Sequence, residues 1–126
     1  MRQNKKRVSV VDDEKDITLA LCMILEDAGF EVDIFTDPIL ALTSFKPNSY
    51  DLIILDIKMP NMDGFDLYKK LKELDDKVKV CFLTASEMYY ETFRSKEYSS
   101  IDSDLFIYKP IGNKDLLQKV NKIITS

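Results

Sequence analysis

An alternation along the chain constrains the fold more than any other feature. Five short runs rich in β-branched and aromatic residues stand out: Val8–Val11, Val32–Phe35, Leu52–Leu55, Val78–Leu83 and Leu105–Tyr108. Longer segments with apolar residues at helical spacing separate them. Strands alternating with helical segments build βα units around a parallel sheet. The stretch "DLIILD", Asp51–Asp56, is apolar at four successive positions, as expected of a strand covered by helices on both faces. The pattern predicts an α/β fold, (βα)5, with a doubly wound five-stranded parallel sheet. Its first helix, Glu14–Ala28, places Ile17, Leu21, Ile24, Leu25 and Ala28 on one face and closes at Gly29. Asp37 and Pro38 open the second helix as N-cap and first turn, and Phe45–Pro47 ends it. Phe65–Leu74 forms a third and Glu87–Lys96 a fourth. Asn113 caps a fifth, striped with Leu116, Leu117, Val120, Ile123 and Ile124.

Composition excludes several function classes. A chain of 126 residues fits one hydrophobic core, so residues 1–126 read as a single domain, with no effector domain after the last helix. Acidic residues outnumber basic ones, 22 to 18, which argues against a nucleic-acid-binding surface. The basic cluster Arg2, Lys5, Lys6 and Arg7 reads as a solvated lead-in to the first strand. No apolar run approaches the ~20 residues of a membrane span, and the N-terminus lacks the ~7–15 apolar residues of a signal peptide. A cytoplasmic protein is expected. The chain has no histidine, which removes Ser-His-Asp catalysis, imidazole metal ligands and phosphohistidine chemistry of its own. Cys22 and Cys81 lie in apolar segments without metal-ligand spacing and read as buried structural thiols.

A doubly wound fold carries its functional groups at the carboxyl ends of its strands. The first strand ends on Asp12 and Asp13, the third on Asp56, the fourth on Thr84 and the fifth on Lys109. Singly, each has an ordinary explanation as a cap, a turn former or a strand end. Together they set three carboxylates, a hydroxyl and an ammonium along one sheet edge. The second strand, expected at the edge of the sheet, contributes nothing.

Electrostatics says what such a cluster requires. Two carboxylates ~4 Å apart repel by on the order of 4 kcal/mol at an effective dielectric of 20. A hard divalent cation relieves three of them, and Mg2+ is typically held by one or two carboxylates with water and phosphate. Asp12, Asp13 and Asp56 with Mg2+ and Lys109 sum to zero formal charge. Asp56 is then placed to act as a carboxylate nucleophile that forms an acyl phosphate, with Lys109 and the Thr84 hydroxyl contacting the other oxygens. Ala85 is small enough to leave the site open. Asp13 is expected to cap the first helix and face the metal through water, with Asp12 the closer ligand.

The segments "VVDDEKD", "LDIKMPNMDG", "LTAS" and "YKP" resemble, in order and position, the receiver domain of two-component response regulators. The resemblance covers essentially the whole chain. It implies a flavodoxin-like fold with strand order 2-1-3-4-5 and a phosphoacceptor at Asp56. It implies Mg2+, with Mn2+ able to substitute, bound by Asp12, Asp13, Asp56 and the backbone carbonyl of Lys58. A switch hydroxyl falls on Thr84, and a phosphate-binding lysine on Lys109, whose bond to Pro110 is often cis in such domains. An aromatic partner of the switch falls on Phe106, which would turn inward on phosphorylation. A histidine kinase or histidine phosphotransfer protein would donate the phosphoryl group. The surface of the fourth helix, fifth strand and fifth helix would then engage a downstream protein target or a second copy. Neither nucleic acid nor membrane is an expected partner.

This sequence departs from the family pattern in two places. Thr84 and Lys109 are 25 positions apart, a few more than usual, and Ser95–Asp104 lacks the small Gly-Ala turn before the fifth strand. The fourth helix or its exit loop is therefore expected to be altered. Lys58 occupies a variable flanking position, where its ammonium is expected to screen a phosphoryl group and change its lifetime. A haloacid-dehalogenase-type Mg2+ phosphatase uses similar groups, but it needs a carboxylate two residues beyond its nucleophile, where Lys58 stands here. An FMN binder of the same fold class would meet Asp12 and Asp13 where its phosphate must sit. A receiver serving only as an unphosphorylated scaffold is the third alternative.

Overall fold

A computed structural model of the chain describes residues 5–84, 105–109 and 112–126. Among them the predicted alternation is present. Strand β1 (Arg7–Val11) is followed by helix α1 (Lys15–Asp27), β2 (Glu31–Phe35), α2 (Pro38–Thr43), β3 (Leu52–Asp56) and α3 (Gly64–Leu74). Strands β4 (Val80–Thr84) and β5 (Phe106–Tyr108) and the C-terminal helix α4 (Asn113–Thr125) complete it. All strand pairings are parallel, in the order β2-β1-β3-β4-β5. This is the flavodoxin-like order expected, with β2 at one edge.

The sheet separates two cores. Successive β3 residues point to opposite faces. Leu52 and Ile54 pack in one cluster with Leu21 and Leu25 of α1 and with Leu116, Val120 and Ile123 of α4. Ile53 and Leu55 pack in the other with Ala41 of α2 and with Leu67 and Leu71 of α3. All five β3 residues are buried, and each large apolar side chain so covered contributes about 1.5–3 kcal/mol.

A strand apolar on both faces cannot take its register from an in-out pattern. Polar residues at the strand's start fix it instead. The Arg7 amide donates to Asp51 Oδ2 at 2.8 Å, and the Asp51 amide donates to the Arg7 carbonyl at 2.8 Å. This clamp sets Val11 beside Leu55. It therefore brings Asp12 next to Asp56 at the far end of the same pair.

Several boundaries depart from the sequence expectation. Helix α2 stops at Thr43, not at Phe45–Pro47. The Ser44 and Thr43 hydroxyls both donate back to the Leu40 carbonyl, and Asn48 beyond Pro47 takes a left-handed φ of 65°. Asn113 lies inside α4, whose N-cap is Gly112. Asp37 caps α2 as predicted, accepting from the Ile39 amide. Gly29 follows α1 with φ of 100°, a conformation that favours glycine. Cys81 is buried, and burial pushes its thiol up to about 12. Cys22, expected to be buried, is only half-buried, and both thiols are free. Glu87–Lys96 and Ser95–Asp104 lie outside the described residues. No helix among the described residues is long and apolar enough to cross a membrane.

Candidate functional site

The β1 backbone delivers the first carboxylate. The Asp12 amide donates to the Phe35 carbonyl at 3.1 Å, which extends the β1–β2 ladder by one residue and holds Asp12 in line with its strand. Its side chain is fully buried. Asp12 Oδ1 accepts from the Glu14 amide at 2.9 Å, and Oδ2 lies 2.7 Å from Lys109 Nζ. Asp13 is exposed and caps nothing, contrary to expectation. The N-cap of α1 is Glu14, without a side-chain capping bond, and Asp12 supplies the local turn instead.

The other strands converge on the same edge. Asp56 closes β3 and is buried. One oxygen each from Asp12, Asp13 and Asp56 lie within 4.8 Å of one another. Thr84 closes β4 and is buried, one residue beyond Leu83, which pairs with Asp56. The Lys109 amide donates to the Thr84 carbonyl at 2.8 Å, anchoring the chain just after β5. The Lys109 ammonium then reaches back to Asp12, to Asp56 Oδ1 at 3.5 Å and to Glu14 Oε1 at 3.7 Å. Glu14 is a fourth carboxylate that the sequence reading did not include, although it directly follows the acidic pair.

The flanking residues fall less uniformly. Lys58 is exposed in the loop after β3. Phe106 is 1% exposed and stacks on Phe82, with ring centroids 5.2 Å apart and planes at 24°. Phe82 in turn meets Phe65 and Tyr68 of α3, at 5.3 and 5.4 Å. The expected inward turn of Phe106 therefore has no outward starting point here, because an unsubstituted phenyl ring gains nothing from solvent. Ala85 and Pro110 lie outside the described residues.

Charge is unevenly balanced at this edge. Burial raises the Asp56 pKa, Asp12 and Asp13 raise it further, and the opposing pull of Lys109 leaves it at about 7. Burial alone would lower the Lys109 pKa, but Asp12, Asp56 and Glu14 outweigh that and move it upward. The lysine stays charged, while Asp56 holds its proton far above the ordinary carboxylate range. With Asp56 ionised, Asp12, Asp13 and Asp56 against the one Lys109 ammonium would leave two negative charges over, on a set of donors that are all oxygen. That deficit and that donor set fit a hard divalent cation.

Fold and site together define a flavodoxin-like α/β protein with an acidic cluster at the carboxyl edge of its sheet. The chain belongs to the response regulator receiver domain family, whose pattern matches residues 8–121. It is 32% identical over 114 residues to the transcriptional regulatory protein DltR of Streptococcus agalactiae, covering 90% of this chain and 50% of DltR. The chain spans about half the length of the curated relatives it matches. Among solved structures, the non-phosphorylated HemR receiver domain of Leptospira biflexa superposes with a TM-score of 0.82 at 28% identity, covering 97% of this chain and 96% of that one. The response regulator TrrA of Thermotoga maritima, solved in complex with Mg2+-BeF, gives 0.77 at 31% identity, covering 94% and 98%. Receiver domains typically bind Mg2+ at an acidic pocket, and response regulators work with histidine kinases in two-component systems.

Proposed function

We propose that residues 1–126 form one cytoplasmic receiver domain that accepts a phosphoryl group on Asp56, in a Mg2+-dependent reaction, from a partner histidine kinase or histidine phosphotransfer protein. One observation carries this reading. Three strand-end carboxylates share a space 4.8 Å across, and a single buried-edge lysine reaches two of them. In the reaction, a carboxylate oxygen of ionised Asp56 bonds to phosphorus as the bond from phosphorus to the donor nitrogen breaks. Lys109 would move from carboxylate to phosphoryl oxygen, and the Thr84 hydroxyl would donate to another. Asp12, Asp13, Asp56 and the Lys58 carbonyl would hold the metal. Both Asp12 oxygens already have protein partners, so Asp13 and Asp56 are the more open ligands, the reverse of the division expected from sequence. When bound, Mg2+ supplies the positive charge that keeps Asp56 ionised and neutralises the transferring oxygens. The protein acts as a switch on a downstream protein partner through the surface of the predicted fourth helix, β5 and the C-terminal helix. It does not turn over an external substrate, and neither nucleic acid nor membrane is a partner.

The test is chemical. Incubation with Mg2+ and acetyl phosphate is expected to add one phosphoryl mass, which Asp56→Asn abolishes and chelation of the metal prevents. No adduct, or one that survives the substitution, removes the reading.

Lys58 adds a graded expectation. Lys58 is exposed two residues after the acceptor, where an ammonium would favour the dianionic phosphorylated ground state by charge attraction. Lys58→Ala is therefore expected to shorten the acyl-phosphate lifetime by roughly two- to fivefold, the scale of an exposed ion pair. Decay of the adduct, followed by mass or by radiolabel, measures it. An unchanged lifetime makes Lys58 a solvated loop residue only.

A further inference from the structure

Gly64 opens α3 eight residues after Asp56, and no chemistry is assigned to it. Its surroundings are unusually close. A Cβ built on Gly64 would lie 2.2 Å from the Asp56 carbonyl oxygen and 3.0 Å from the Ile57 Cα. Both are backbone atoms at the end of β3 and just past it, so no side-chain rotation relieves the overlap. Gly64 is buried, and its amide donates to the Ile57 carbonyl at 2.8 Å. That bond closes the loop from Ile57 to Gly64, which contains Lys58. The approach is held from the helix side as well. Asp63 accepts from the Phe65 and Asp66 amides at 3.0 and 2.9 Å, fixing the first turn of α3.

We infer that Gly64 is a positioning residue for the phosphoryl-transfer site: its bare backbone lets α3 seat against the Asp56–Ile57 peptide and so sets both the Asp56 carboxylate and the carbonyl of Lys58. This inference rests on the function proposed above. Any side chain at position 64 must push either the end of β3 or the start of α3 away. The end of β3 is where Asp56 meets Asp12, Asp13 and Lys109 within a few ångströms. A displacement of the order of 1 Å at a reacting group can cost about 100-fold, so the loss falls on metal affinity and reactivity as well as on the fold.

The decisive comparison pairs Gly64→Ala with Gly29→Ala. Gly29 has φ of 100° and open space around it, so alanine there strains a turn without touching Asp56. In the full chain, Mg2+ affinity by titration calorimetry and the rate of adduct formation from acetyl phosphate are measured beside unfolding stability. Gly64→Ala is expected to weaken Mg2+ binding and slow phosphorylation by about tenfold or more, whereas Gly29→Ala, which strains a turn away from the site, changes both less than about twofold. Equal effects in the two variants, or none in Gly64→Ala, overturn the inference. If wild type itself gives no Mg2+ binding and no adduct, the proposed function fails instead.

Should Gly64→Ala not fold, Asp63 decides. Asp63→Ala and Asp63→Ser remove the same charge, but serine still caps a helix. Weakened Mg2+ binding in the alanine variant that serine restores supports the seating of α3 on Asp56. Equal affinity in the two variants overturns it.

Discussion

Asp56→Asn is expected to make the metal-free protein more stable, by about 2–4 kcal/mol at pH 8. The cause is the position of the carboxylate. It is buried beside Asp12, and its folded pKa stands at about 7 against an ordinary 3.8. A carboxyl whose pKa is raised on folding binds its proton more tightly in the folded state. Wild-type stability therefore rises as pH falls from about 7 toward 4, while that of Asp56→Asn does not follow it through this window. The advantage of the variant is greatest above pH 7 and closes near pH 4. Millimolar Mg2+ works in the opposite direction, stabilising wild type more than the variant because the variant has lost a ligand. Urea unfolding at several pH values, with and without Mg2+, reads all of this. A variant less stable than wild type at pH 8 without metal would show that the protein already compensates the cluster.

The second large effect belongs to Lys109. Its ammonium lies 2.7 Å from Asp12 Oδ2 and 3.5 Å from Asp56 Oδ1. Lys109→Met keeps the stem's apolar packing and removes the charge. Breaking a buried pair from one side leaves an uncompensated charge, which costs about 3–5 kcal/mol, and Asp12 is fully buried. Such a loss is expected at pH 7 in denaturant unfolding, with Mg2+ recovering part of it, since the cation answers the same deficit. A loss below 1 kcal/mol, a threshold set by exposed ion pairs at about 0–1 kcal/mol, would mean that the lysine does not carry the site's charge balance.

How much of this was legible in the sequence depended on the range of the forces involved. The strand runs and the Asp37-Pro38 helix start are local, and they were read correctly because propensity and packing agree there. The convergence of Asp12, Asp56, Thr84 and Lys109 was also legible, because a parallel doubly wound sheet brings all its strand ends to one edge. Finer placements were not. Whether Asp13 or Asp12 makes the turn into α1 depends on which carboxylate β2 pulls into line, a contact that crosses from Asp12 to Phe35. Phe106 was expected to move inward, but its burial depends on Phe82, 24 positions earlier. The end of α2 depended on two hydroxyls bonding back to Leu40, a competition that apolar periodicity does not register. Gly64 looked like an ordinary turn glycine until the carbonyl it admits was in view.

Strand β5 is only three residues long, Phe106–Tyr108, and forms the outer edge of the sheet beside β4. The cation of the site is carried by the residue that follows this short strand. Its ladder is short, but Phe106 and Ile107 are each 1% exposed, so opening this edge uncovers two core side chains. Lifting it withdraws the positive charge from two buried carboxylates in the same motion. The edge and the site thus share one free energy: a phosphoryl group that grips Lys109 also fastens the sheet, and fraying of the sheet loosens the grip.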